Sequence, residues 1–222
     1  MIEAVIFDMD GLMINSEIVS FTVYKELLKK YDVELNQQLY CYCFAGKTMV
    51  NGLLFARDYF HLDYDIDEAC LFCHKKEHEI VDVDGVDLKP GLVELLEYLK
   101  DNHIRMAIAT SSGIERIHKL LDRHSILRYF DNITYGNEVK NGKPAPDIFL
   151  KACEKLNVEP QNALVLEDSE AGVQAGFSAN IPTICVPDLK YPDEKYVSMS
   201  VKVLNDLYGV IDYIKGVNLW EY

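Results

Sequence analysis

Apolar positions along the chain follow two periods, and the change between them divides it. Ala4-Val5-Ile6-Phe7 is an unbroken apolar run in which Val5, Ile6 and Phe7 favour strands, the pattern of a strand buried on both faces. It runs directly into Asp8-Met9-Asp10-Gly11. Beyond it the period becomes helical. Ile18, Phe21, Val23, Tyr24, Leu27 and Leu28 predict a helix to about Tyr31 with Asn15 or Ser16 as its N-cap. Further helices are predicted over 36–44, 49–59 and 67–83, separated by Gly46-Lys47-Thr48 and His61-Leu62-Asp63-Tyr64. No strand pattern interrupts this stretch, so residues 16–84 read as a small helical domain inserted after the first strand.

Val86-Asp87-Leu88-Lys89-Pro90-Gly91 reads as the return linker, and Pro-Gly as a turn into a helix carrying Leu92, Leu95, Leu96 and Leu99. From there strands and helices alternate. Strands are predicted at 105–110, 132–135, 163–167 and 182–186, with helices at 114–124, 146–156, from about 171, and at 205–215. Strands separated by helices form a parallel sheet covered on both faces. The fold class is therefore α/β: a Rossmann-like core from residues 1–15 and 85–222, with an inserted α-helical cap domain at 16–84. In such sheets chemistry gathers at the carboxyl ends of the strands.

Those ends carry an unusual set of side chains. Residues alternate along a strand, so Asp8 and Asp10 fall on one side. Two anions this close need a proton or a cation between them, and an oxygen-seeking ion such as Mg²⁺ is suited to the place. Gly11 then lets the chain turn away. The second strand ends in Thr110-Ser111-Ser112-Gly113, hydroxyls feeding a helix N-terminus, where free N–H groups favour an anion. After the third comes Asn141-Gly142-Lys143-Pro144-Ala145-Pro146-Asp147, with a lysine between flexible and rigid neighbours. The fourth, Ala163-Leu164-Val165-Leu166, runs into Glu167-Asp168-Ser169, a second acidic pair that would meet the first at one edge of the sheet. Together these ends offer oxygen ligands for Mg²⁺, a hydroxyl and amides for phosphate, and one cation.

Composition narrows the function classes. The chain has 222 residues, enough for a core domain with an inserted smaller one. Its 22 Lys and Arg against 36 Asp and Glu give a net charge of −14, which disfavours nucleic acid as a partner because phosphate backbones are held by clustered cations. No apolar run is long enough for a membrane span, and no signal-like segment precedes the first strand. A cytoplasmic monomer with no membrane partner is expected. Six cysteines then read as reduced thiols. Cys70, Cys73, His74 and His78 share a helical face, and Cys41 and Cys43 lie nearby in sequence, but no second ligand pair stands at zinc-finger spacing. Buried thiols on a helix core face are the simpler reading.

Four motifs in order, Phe7-Asp8-Met9-Asp10-Gly11, Ala109-Thr110-Ser111-Ser112, Gly142-Lys143-Pro144-Ala145-Pro146-Asp147 and Leu166-Glu167-Asp168-Ser169-Glu170-Ala171-Gly172, make the chain resemble the haloacid dehalogenase-like hydrolases. The resemblance is to the branch holding β-phosphoglucomutase and small phosphatases, and it spans nearly the whole chain, helical insert included. It implies that Asp8 is a nucleophile taking phosphate as an aspartyl-phosphate, and that Asp10 is the general acid and then the base for water. It implies phosphate contacts from Thr110 and the Ser111–Ser112 turn, and Lys143 bridging Asp8 and phosphate. It also implies Mg²⁺ held by Asp8, the Asp10 carbonyl and Asp168, with Glu167 as a ligand or a supporting partner. The cap would hinge near 13–15 and 84–89, opening for substrate and closing against water.

The match also departs from the branch. Asn15 stands where many members have Asp, Ser20 aligns with the His of its glucose-phosphate mutases, and Met49 with their cap Arg. Lacking both mutase marks, the chain is expected to hydrolyse a small phosphate monoester, a sugar phosphate among the candidates, with a β-phosphoglucomutase-like mutase as the alternative. Lys47, after Gly46, is the cap candidate for the substrate's distal group. Dehalogenation would leave Asp10 and Asp168 as costly like charges. A non-catalytic phosphate- or protein-binding module would have to keep every catalytic residue type for another reason.

Overall fold

All four residues of β1 (Ala4–Phe7) are fully buried. Each large side chain hidden this way contributes about 1.5–3 kcal/mol, which makes this strand the centre of the core. The computed structural model describes residues 2–83 and 85–219. After β1 come α1 (Ser16–Lys29), α2 (Gln37–Cys43), α3 (Met49–Tyr59) and α4 (Ile66–Val83). They are followed by α5 (Leu92–Asp101), β2 (Arg105–Thr110), α6 (Ile114–Leu121), β3 (Asn132–Tyr135), α7 (Asp147–Leu156) and β4 (Ala163–Glu167). The chain closes with α8 (Glu170–Ser178), β5 (Thr183–Cys185), α9 (Glu194–Val197), β6 (Lys202–Val203) and α10 (Leu207–Leu219).

The strands pair in parallel in the order β3-β2-β1-β4-β5-β6. The chain builds outward from β1 through β2 to β3, then returns to the other side of β1 and builds outward again. The order reverses between β1 and β4, and a reversal of this kind opens a crevice at the carboxyl ends of the two strands. Phe7 stands opposite Ile108 on one side and Leu166 on the other. Asp8 and Glu167 therefore emerge at one level, with Thr110 one residue further along β2.

Small residues allow the helices to approach. Ala4 and Ile6 join Ala107, Ala109, Ala163 and Val165 in a buried cluster with Ile148, Phe149 and Ala152 of α7 and Ala175 of α8. On α5, Leu92, Leu95, Leu96 and Leu99 are buried at helical spacing.

The chain divides into two compact units, Met1–Ile14 with Asp87–Tyr222, and Asn15–Val86. The second contains α1 to α4 and, among its described residues, no strand. Side chains start α2 and α3: Asn36 accepts from Leu39 N and Thr48 from Asn51 N. Tyr24 stacks on Phe44 with ring centroids 4.0 Å apart, and the Tyr40 hydroxyl donates to Glu17 Oε2 at 2.7 Å. Within the first unit, Ile14 and Leu88 form an antiparallel bridge and Lys89 N donates to Met13 O at 2.9 Å, so outgoing and returning chain are tied together.

Several sequence expectations shift. Asn15 occupies the N-cap of α1, but its side chain makes no capping bond. The helix expected over 114–124 ends at Leu121 and continues as a 3₁₀ turn, Asp122–His124. The short elements α9 and β6 were not anticipated, because two to four residues hold too little pattern to read. Asp84, the expected end of the insert, lies outside the described residues, as do residues 1 and 220–222.

Candidate active site

The site begins with where β1 stops. The amide of Asp8 still pairs with Leu166 O at 3.0 Å, so the residue is fixed by the sheet while its side chain leaves it. Asp8 is 7% exposed. Lys143, from the loop before α7, donates from Nζ to Asp8 Oδ1, to Glu167 Oε1 at 2.6 Å and to the Ala109 carbonyl at 3.2 Å. Its ammonium also lies over the Phe149 ring, 4.9 Å from the centroid. One cation thus joins the ends of β1, β2 and β4.

Electrostatics follow from this burial. Loss of water pushes the Asp8 carboxyl up to about 7, the nearby Glu167 and Asp10 charges adding to the rise and Lys143 opposing it. Burial alone would lower the affinity of Lys143 for its proton, but the Asp8 and Glu167 carboxylates outweigh it and hold the ammonium charged.

Glu167 is fully buried and well supplied with donors. Its Oε2 accepts from Asp168 N and Ser169 N, both at 3.1 Å, and from Ser169 Oγ at 2.9 Å. Ser169 is also the N-cap of α8, accepting from Gly172 N at 3.1 Å. A Cβ on Gly172 would fall 1.8 Å from the Glu167 carboxyl carbon. Only a glycine lets the helix start this close to the carboxylate.

Asp168 lies beside the turn after Asp10. Gly11 there has φ +83°, and a Cβ on it would stand 2.1 Å from Asp168 Oδ2, so backbone conformation and close approach both require glycine. Among the described residues, Asp8, Glu167 and Asp168 are the one group of three or more His, Cys, Asp or Glu side chains whose ligand atoms lie within 4.8 Å of one another. Hard carboxylate oxygens at this spacing fit Mg²⁺. Both Glu167 oxygens accept hydrogen bonds, as Asp8 Oδ1 does from Lys143.

The end of β2 completes the centre. Thr110 is buried, and its hydroxyl oxygen accepts from Ser112 N at 3.0 Å. Ser112 Oγ donates to Asp10 Oδ2 at 2.7 Å, and Arg116 Nη2 to Asp10 Oδ1 at 3.1 Å. Ser111 is exposed at the same turn. The structure thus brings together Asp8, Asp10, Thr110, Ser112, Lys143, Glu167 and Asp168, and adds Arg116. The sequence reading missed Arg116 because, between the inward positions of α6, it looks like a surface residue; its one signal was its place in the first turn of the helix that starts at the site.

Lys47 belongs to the helical unit, where its Nζ donates to the Tyr42 carbonyl at 2.7 Å and lies 4.9 Å from the Phe55 ring centroid. Cys70, Cys73, His74 and His78 do not form a metal-sized group among the described residues. Cys73 is buried, and burial pushes its thiol up to about 12.

A doubly wound parallel sheet with carboxylates gathered at its reversal point defines an α/β enzyme fold with its site at the strand ends. A family model described as haloacid dehalogenase-like hydrolase matches residues 5–186. The chain is 33% identical over 182 residues to the phosphorylated carbohydrates phosphatase of Thermotoga maritima, covering 82% of this chain and 83% of that one. It is 30% identical over 187 residues to the β-phosphoglucomutase of Bacillus subtilis, covering 81% and 80%. The crystal structure of CbbY from Rhodobacter sphaeroides in complex with phosphate is 25% identical, with a TM-score of 0.72 over 93% of this chain and 95% of that one. The chain belongs to the haloacid dehalogenase-like hydrolases, in the branch of the phosphatases and β-phosphoglucomutase, and is an enzyme of the phosphatase class. Among the described residues no helix is long and apolar enough to cross a membrane.

Proposed function

We propose that this enzyme is a cytoplasmic monomer that hydrolyses a small phosphate monoester, a sugar phosphate in the first instance, with Mg²⁺ and through an aspartyl-phosphate. The observation that carries the reading is the Asp8 carboxylate, buried against Lys143 with Asp168 and Glu167 beside it and Asp10 two residues on. Asp8, Asp168 and the Asp10 carbonyl would hold the Mg²⁺. Bound there, the ion would neutralise carboxylate and phosphoryl oxygens so that one anion can approach another.

The chain's own residues then divide the reaction. Asp8 attacks phosphorus as the P–O bond to the alcohol breaks, and Asp10 gives the departing oxygen its proton. Water next attacks the phosphoryl group, Asp10 takes back a proton, and the Asp8–phosphorus bond breaks to release phosphate. Lys143 offsets charge on Asp8 and the phosphoryl oxygens, Thr110 and the Ser111–Ser112 turn bind those oxygens, and Glu167 anchors Lys143. The helical unit acts as a cap, hinging where Ile14 and Leu88 bridge, and supplies Lys47 as a candidate substrate contact on its place after Gly46.

Hydrolysis is favoured over transfer between sugar positions because Ser20 and Met49 replace both mutase marks, and Ser20 hydrogen-bonds to Tyr40 within the helical unit. The likeness to a β-phosphoglucomutase keeps the mutase as the second reading. A panel of phosphate monoesters assayed with Mg²⁺ and with EDTA, following free phosphate and isomerised sugar phosphate, separates the two. Phosphate release is expected that EDTA abolishes and that Asp8→Asn reduces at least about a thousandfold. Turnover retained in Asp8→Asn would rule out the covalent route, and isomerisation without phosphate release would make the enzyme a mutase.

A further inference from the structure

Asp10 has to place one carboxyl oxygen against the ester oxygen and later against water, yet nothing in its own loop fixes its side chain. The backbone is well held: Gly11 N donates to Ile14 O at 3.1 Å and Met13 N to Met9 O at 2.9 Å. The side-chain torsions remain. Two groups from one turn and helix settle them, Ser112 Oγ on Oδ2 at 2.7 Å and Arg116 Nη2 on Oδ1 at 3.1 Å. Bonds to different oxygens fix the rotation of the carboxylate plane, where one bond alone would leave it a hinge.

The holders are themselves held. The Ser112 amide donates to the Thr110 hydroxyl at 3.0 Å, so the end of β2 positions the serine. Arg116 stands four residues further on, within the first turn of α6, and its guanidinium offers donors in a fixed plane. The pair of side chains is about one third exposed, Arg116 35% and Asp10 33%. An ion pair this wet adds little to stability, so geometry is the more informative account of it.

We propose that Arg116, together with Ser112, is a positioning residue that aims the Asp10 carboxyl for proton transfer. The proposal rests on the phosphatase reading above. It also gives Ser112 a role in holding Asp10 beyond the phosphate contact expected from its motif. Small errors of aim cost much of the benefit of a positioned acid.

The test compares kcat/KM for phenyl phosphate and 4-nitrophenyl phosphate in Mg²⁺. Phenoxide is a poor leaving group that needs a proton from the enzyme, whereas 4-nitrophenoxide departs with little help. Arg116→Met is expected to lose about tenfold on phenyl phosphate and no more than about threefold on the nitrophenyl ester. Ser112→Ala should shift the ratio of the two esters in the same direction, Arg116→Lys should recover part of it, and Asp10→Asn should shift it furthest. The ratio does not depend on how much of a variant is folded. In Asp10→Asn/Arg116→Met it should move no further than in Asp10→Asn, because the arginine acts through the aspartate. An unchanged ratio in Arg116→Met, or effects that multiply in the double variant, would overturn the proposal. Wild-type protein that releases phosphate from neither ester nor from any monoester of the panel would instead remove the phosphatase reading, and the positioning role with it.

Discussion

Asp8 shows how much one buried carboxylate is asked to do. Its proton affinity is raised because water is excluded and two other carboxylates stand near, although Lys143 is in contact. A carboxyl whose pKa rises on folding favours the folded state while it is protonated. Its contribution is therefore complete below the ordinary value of 3.8 and is lost as pH rises through about 7. In EDTA, wild-type stability is expected to decline over that interval relative to Asp8→Asn, measured by denaturant unfolding at a series of pH values. Proton and metal compete for the same oxygen. Apparent Mg²⁺ affinity should rise about tenfold per pH unit up to about pH 7 and flatten above it, as calorimetric titration would show; affinity independent of pH would mean that Asp8 does not hold the metal.

At the scale of elements, the start of α8 is the most tightly constrained join in the site. Ser169 caps the helix and bonds Glu167 with the same hydroxyl, and Gly172 leaves the space that the Glu167 carboxylate fills. Glu167 cannot move aside without giving up donors that satisfy both its oxygens. Gly172→Ala is expected to destabilise the protein by about 1–3 kcal/mol through overpacking, read as a fall in Tm of roughly 2–12 °C for a chain of this size. Activity should fall with it, because Glu167 anchors Lys143. The boundaries of β2, β3 and β4 and of α3 were legible in the sequence, since each carries a full local pattern. β6 was not, because its two residues are a strand only by pairing with β5.

Over the whole molecule, the division of labour follows the division of the chain. The motif residues all belong to the unit formed by the two ends of the sequence, and in the proposed function they would recognise only what every phosphate monoester shares. Discrimination among esters falls to groups outside the motifs, for which Lys47 is the candidate we assign in the helical unit. Lys47→Ala is expected to raise KM by about threefold or more for esters with a polar distal group and to leave kcat unchanged, as loss of uniform binding does. Steady-state kinetics on the esters found active in the panel provide the measurement, and an unchanged KM across all of them would remove Lys47 from the site.

The sequence by itself determined the α/β class, the helical insert, the family, and nearly all the chemical groups of the site, because strand and helix periods record which face of each element loses water. Acidic and hydroxyl residues and one lysine at four predicted strand ends pointed to phosphate chemistry. Only the tertiary structure decided who meets whom. Sheet order puts β1 between β2 and β4, and from that follow the bridge made by Lys143, the satisfied Glu167 and the raised proton affinity of Asp8. The contact of Arg116 with Asp10 spans 106 positions of the chain. Local patterning reports solvation along one element; adjacency through space is set by how the elements stack, and no single element encodes it.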